Sequence, residues 1–92
     1  MRVTVELFGS PRLICGQKTF ALDMEGEASL GVLIRELSLL CPELVGRIIK
    51  DDLSQIHDSY TFNLNGRKFI WENSVSLSEG DTVMLISSQA GG

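Results

Sequence analysis

Aromatic residues are scarce in this chain: four Phe, one Tyr and one Trp among 92 residues. Aliphatic side chains must therefore build most of any core. There are only two cysteines. Cys15 and Cys41 lie far apart and form no Cys-x-x-Cys pair, which argues against a zinc ribbon or a redox motif. They can bond only if the fold brings them together, and the expectation is two free thiols in a reducing compartment. One histidine, His57, sits in a polar stretch beside Asp58 with no nucleophile near it in sequence, so it reads as a solvated side chain and not as part of a catalytic dyad. No Gly-rich loop follows a strand and opens a helix in the phosphate-cradling pattern. No His, Cys and carboxylate cluster has metal spacing. Clustered positive charge is also missing. The net charge is −4, which disfavours nucleic acid as a partner, because phosphate binding needs grouped Lys and Arg. No apolar run reaches the length of a membrane span. The start, Met1-Arg2-Val3-Thr4-Val5-Glu6, alternates where a signal peptide would be continuously apolar. The location expected is the cytoplasm.

What is present is a chain of one-domain length, with 43% hydrophobic and 22% charged residues. A chain this size buries roughly 60–68% of its unfolded surface, enough for one modest core. The acids gather at Asp23–Glu27, at Asp51, Asp52 and Asp58, and at Glu79–Asp81. Solvated loops are the plain reading; the sharper one is an acidic surface that steers a basic protein partner.

Hydrophobic periodicity supplies the elements. Arg2 to Phe8 alternates, with Val3, Val5 and Leu7 on one face, which predicts a half-buried strand. Gly9-Ser10-Pro11 breaks it, Gly16 marks a second turn position, and Lys18 to Met24 alternates again with Phe20, Leu22 and Met24 together. Two strands joined by a Gly/Pro loop predict a hairpin. After the break at Glu25-Gly26-Glu27, Ser29 is a candidate helix N-cap. Leu30, Leu33, Ile34, Leu37, Leu40 and Cys41 then fall on one helical stripe, and Pro42 should end the helix near Leu40. Glu43 to Lys50 is read as a short extra turn or helix, with Leu44 and Ile48 inward, and Asp51 to Ser59 as a loop. Tyr60 to Leu64 and Arg67 to Trp71 flank Asn65-Gly66, the strongest hairpin signal in the chain, because a type I′ turn needs positive φ at both central residues. Thr82 to Ser87 is the last strand, with Val83 and Leu85 on one face. The order strand, strand, helix and three strands predicts a two-layer α+β domain over residues 1–92, with one main helix on a mixed four- to five-stranded sheet.

Two features ask for more than a structural account. Ser87-Ser88-Gln89-Ala90-Gly91-Gly92 follows the last strand as a tail free of charge and bulk. Frayed polar ends are common, yet glycine, lacking Cβ, also lets such a tail be drawn extended into a narrow active site. It would deliver an α-carboxylate, a poor electrophile until adenylation makes it a mixed anhydride. The other feature is the sheet's outer face, where Phe8, Met84 and Ile86 should point to solvent. They either form an apolar protein interface, or are scattered singly, or are covered by the 51–59 loop.

Several segments together resemble a known family along nearly the whole chain: Leu7-Phe8-Gly9 with Arg12 and Gly16, Cys41-Pro42-Glu43-Leu44, Asn65-Gly66-Arg67, Leu77-Ser78-Glu79-Gly80-Asp81-Thr82-Val83, and Gly91-Gly92. They resemble the MoaD/ThiS-type ubiquitin-like sulfur carriers, which include the small subunit of molybdopterin synthase and the thiamine-pathway carrier. The Leu-x-x-Gly-Asp-x-Val block at its distance from a diglycine is the specific element. The resemblance implies a β-grasp fold with first and last strands side by side. It implies no stably bound cofactor, and an E1-like partner enzyme that uses ATP and magnesium to adenylate Gly92, after which a sulfurtransferase system converts it to a thiocarboxylate. It implies that Gly91, Ala90 and Gln89 thread the tail, that Phe8 and Ile86 meet partner proteins, in line with the outer-face reading that adds Met84, and that the large synthase subunit or an equivalent acceptor takes the sulfur. Such a chain is a co-substrate and not an enzyme. Ser87-Ser88 stands where molybdopterin-serving members often carry Pro-Pro, which predicts a less stiff tail. The residues between Pro42 and Ser59, mostly missing from the shorter thiamine carriers, favour the molybdopterin-like or archaeal-modifier-like branch. Competing readings are a modifier joined to protein lysines, a plain interaction module, and sulfur carriage on Cys15 or Cys41.

Overall fold

The order of apolar residues along the chain becomes a sheet with one covered face, as a computed structural model describes for residues 1–88. The strands are β1 (Arg2–Leu7), β2 (Thr19–Asp23), β3 (Tyr60–Leu64), β4 (Lys68–Ile70) and β5 (Thr82–Ser87). Two helices, α1 (Ser10–Cys15) and α2 (Leu30–Leu40), and a 3₁₀ turn at Pro42–Leu44 complete the elements. Sheet order is β2-β1-β5-β3-β4. β1 and β5 run parallel at the centre, with Val5 opposite Val83 and Leu7 opposite Leu85, and every other pairing is antiparallel. This is the ubiquitin-like β-grasp arrangement.

The alternation that defines β1 is also its burial pattern: Val3, Val5 and Leu7 are buried, as are Val83 and Leu85 on β5. The inner face they share packs against Leu30, Leu33, Ile34 and Leu37 of α2 in one hydrophobic cluster. Ser29 caps α2, its hydroxyl accepting from the Val32 N–H at 3.3 Å. The turn of β3 into β4 has Asn65 at φ 56° and Gly66 at φ 71°, as a type I′ hairpin requires.

Three sequence expectations need correction. The connection from β1 to β2 is not a plain loop: α1 forms inside it, opened by Pro11 in its first turn and closed by Gly16 in the left-handed region at φ 70°. A helix of six residues is too short for periodicity to reveal, although the Pro-then-Gly asymmetry marks its ends. Leu40 is not on the buried stripe; it is 51% exposed. At 3.6 residues per turn the inward line from Leu30 through Leu37 passes closer to Cys41 than to Leu40, and Cys41 is buried. Finally, Cys15 and Cys41 are not free thiols. The fold sets their Cα atoms 6.0 Å apart and they form a disulfide.

The edge of the sheet shows what the acids do. Arg2 and Asp23, opposite one another on β1 and β2, form a bidentate pair with contacts at 3.2 and 3.3 Å. The hydrogen bond from Arg2, and then its charge, holds the Asp23 carboxyl below its ordinary pKa. Asp52 is lowered by the Ser54 hydroxyl and then the Ser54 N–H, which it accepts at 2.6 and 3.0 Å. A carboxyl lowered in the folded state adds stability above its unfolded pKa of 3.8 and loses it as pH falls through the folded value. Denaturation followed between pH 5 and pH 2 should therefore show a shallower acid-side slope for Asp23→Asn/Asp52→Asn than for the wild type. Parallel curves would remove these two groups from the acid response.

Candidate functional site at the outer face and the end of β5

β5 is fixed where it begins. Gly80 turns the chain at φ 83°, and its N–H donates to the Arg2 carbonyl at 2.8 Å. Asp81 works on both sides of that turn, accepting from the Ser78 N–H at 2.7 Å and from Asn65 Nδ2 at 2.9 Å. Asn65 Oδ1 in return accepts from the Thr82 N–H at 2.8 Å. Leu77 is buried, its N–H bonded to the Ala28 carbonyl at 2.9 Å. The Leu77–Val83 block is thus a clamp that joins the start of β5 to β1, to the β3–β4 hairpin and to the segment before α2. It sets the register of β5, and with it the direction in which the chain leaves the sheet.

At its other end, β5 stops at Ser87. The Ser88 N–H donates to the Ser59 carbonyl at 2.8 Å and its hydroxyl to the Asp58 carbonyl at 2.9 Å, so the chain is held through residue 88. A cleft of about 390 Å³ opens beside this point, lined by Leu30, Ile34, Ile56, Tyr60, Trp71 and Ser88 among others. Gln89, Ala90, Gly91 and Gly92, the tail residues singled out from sequence, lie outside the described residues.

The outer face brings the other three sequence candidates together. Phe8 follows β1, its N–H donating to the Leu85 carbonyl at 3.1 Å, and continuing the parallel register sets it beside Ile86. Met84 stands two residues before Ile86 on the same face. Phe8 is 37% exposed, while Met84 and Ile86 are half-buried. The 51–59 loop borders the cleft beside α2, through Ile56 and Asp58, on the side of the sheet away from these residues. Sequence reading misses Phe69, which extends the row. It lies opposite Asn63 on β3, and Asn63 in turn lies opposite Met84. Phe69 is 55% exposed. A signal for it exists, since Ile70 faces inward and its strand neighbour must face out. Trp71, 68% exposed, lies at the cleft. The backbone N–H of His57 donates to the Ile48 carbonyl at 2.8 Å. Among the described residues no cluster of His, Cys, Asp and Glu could hold a metal ion, and no helix is long and apolar enough to cross a membrane.

The described residues thus combine an anchored end of β5 with a partly exposed apolar outer face. Small archaeal modifier protein 3 of Haloferax volcanii is 27% identical over 94 residues, covering all of both chains. The chain is homologous to a small archaeal modifier protein. The crystal structure of small archaeal modifier protein 1 from the same organism superposes with a TM-score of 0.84 at 24% identity, over the whole of both chains. A Pyrococcus furiosus protein described as molybdopterin converting factor subunit 1 superposes at 0.73 and 20% identity, covering 95% of this chain and 97% of that one. No protein-family model matches the chain. The β-grasp fold expected from sequence is thus shared with ubiquitin-like neighbours, and the homologue is a small modifier of the same length class.

Proposed function

We propose that this protein is a ubiquitin-like sulfur carrier that works through the α-carboxylate of Gly92. An E1-like partner binds the outer face around Phe8, Met84 and Ile86 and draws Gln89-Ala90-Gly91-Gly92 into its active site. The Gly92 carboxylate oxygen attacks the α-phosphorus of magnesium-bound ATP, and pyrophosphate leaves. Hydrosulfide supplied by a sulfurtransferase system then attacks the acyl carbon and expels AMP, and loss of the sulfur-bound proton leaves a thiocarboxylate. That sulfur passes to an acceptor such as the large subunit of molybdopterin synthase, in the cytoplasm where ATP is supplied. The protein itself is the co-substrate and the partner holds the cofactors.

The observation that carries this reading is a full-length homology to a small archaeal modifier protein in a chain whose diglycine lies just beyond β5. Glycines suit the role because backbone without Cβ fits a narrow channel. The test is to incubate the chain with its cognate activating enzyme, ATP, magnesium and a sulfur donor, and to weigh it intact. One oxygen replaced by sulfur is the expected product. An unchanged mass, with the enzyme active on another carrier, would end the proposal.

The outer face has its own prediction. Phe8→Ala should raise the KM of the activating enzyme for this chain by about tenfold, the cost of a moderate interface hot spot. Melting should move little, because the side chain is partly exposed and surface changes are usually within about 0.5 kcal/mol. An unchanged KM would place the docking surface elsewhere.

A second reading is favoured by the homologue's own description as a modifier: the same adenylate, attacked by a lysine amine of another protein. Gly-Gly remnants on lysines, absent when the gene is deleted, would establish it. Sulfur delivery to thiamine, cysteine or tRNA thiolation uses the same thiocarboxylate and differs only in the acceptor.

A further inference from the structure

The geometry points to a second chemical site, distant in sequence from the diglycine: the Cys15–Cys41 bond is a reversible thiol–disulfide exchange site that locks α1 to the end of α2. These are the two cysteines of the chain. Cys15 ends α1, and Cys41 is the C-cap residue of α2. They are 26 residues apart and bonded to each other.

Apart from this bond α1 has few anchors, one of them Ile14, which packs half-buried against the core. Of its six residues only Pro11 is buried, and Leu13 is 83% exposed. Among the described elements it packs mainly on the Pro42–Leu44 turn, the segment that directly follows Cys41. An isolated helix this short has no stability of its own. The covalent bond therefore supplies much of the reason α1 stays folded against the body, and opening it releases the segment from Gly9 to Gly16.

The two sulfurs differ in access. Cys41 is 3% exposed, whereas Cys15 is only half-buried. Arg12 and Lys18 line a shallow groove with Gly16, which follows Cys15 in the chain, so an anionic small thiol is drawn toward this end of the bond. A reductant thiolate attacks Cys15 Sγ, the Cys15–Cys41 bond breaks, and Cys41 leaves as a thiolate. A second reductant thiolate attacks the reductant sulfur of the mixed disulfide and releases Cys15. Two protons from the two reductant thiols end on Cys15 and Cys41, and the two electrons gained by the protein leave the reductant as its own disulfide.

Glutathione and its disulfide, mixed at graded ratios, are the probe. The full chain is equilibrated at each ratio, quenched with iodoacetamide and weighed. A single transition from zero to two alkylated cysteines is expected, the same from either direction. The oxidised chain should melt about 10 °C or more above the reduced one, as expected for closing a loop of this length, and Cys15→Ser/Cys41→Ser should melt with the reduced wild type whatever the ratio. Hydrogen exchange at residues 10–16 should accelerate on reduction while the amides of β1 and β5 keep their protection. Should the double variant fail to fold, the reduced wild type supplies the same comparison. Two alkylatable thiols at every ratio, a bond that no ratio opens, or equal melting and equal exchange of the two forms would each overturn the proposal. Because no readout involves Gly92 or an activating enzyme, the result is independent of the proposed carrier function.

Discussion

Deleting Gly92 is expected to abolish adenylate formation and sulfur loading, a loss of about 100-fold or more. The reason is reach and not chemistry. Removing the residue still leaves an α-carboxylate, now on Gly91, but one residue of extended chain is about 3.6 Å. An in-line attack on phosphorus tolerates far less displacement than that, since an error of about 1 Å can cost 100-fold. The body of the protein cannot make up the difference, because β5 is fixed at its start by Asp81 and Asn65 and at its end by the Ser88 bonds to Ser59 and Asp58. Gly91→Val keeps the length and adds a branched Cβ, so it should fall between wild type and deletion, with the loss in kcat/KM and none in melting temperature. The measurements are pyrophosphate exchange and intact mass with the same activating enzyme. If the truncated chain loads at the wild-type rate, the reacting carboxylate is not the one on Gly92.

How much of this can be read from the residues depends on range. The strands announce themselves because alternation is local, and the Asn65-Gly66 turn because its backbone demands so few residue types. The outer-face trio comes from the same alternation. What local pattern does not supply is any fact set by a distant partner. Whether Cys15 and Cys41 meet depends on where α1 docks, and α1 is held by tertiary contact and not by its own periodicity. Leu40 is misplaced because it lies at the margin of the stripe: the inward line from Leu30 through Leu37 runs on to Cys41 and leaves Leu40 to the side. Phe69 escapes for a different reason: its strand, β4, has only three residues, too few to show alternation until its pairing with β3 is known. The role of Asp81 is legible only once Asn65 is beside it.

The second large effect is on stability: Phe62→Ala should cost about 3–5 kcal/mol. Phe62 is 1% exposed and among the largest fully buried side chains of a core otherwise mostly aliphatic. It stands at the middle of β3, opposite Leu85 of β5 on one side and Ile70 of β4 on the other, so no single neighbour can close the space it leaves. Against a total of roughly 5–14 kcal/mol for a chain this size, the loss is about a fifth or more, read as a melting temperature lower by about 12 °C or more. Phe62→Leu, which keeps most of the volume, should cost less than half as much. The consequence reaches the site, because β3 flanks β5 and its approach through Ser59 is one of the two anchors of Ser88. Loading by the alanine variant should therefore fall near its melting temperature while staying normal in the cold, the mark of a presentation defect with the reactive group intact. Phe69→Ala, exposed on the same sheet, is the control. If it destabilises the protein as much as Phe62→Ala does, the inner face is not where the folding energy lies, and the division between a structural face and a recognition face fails.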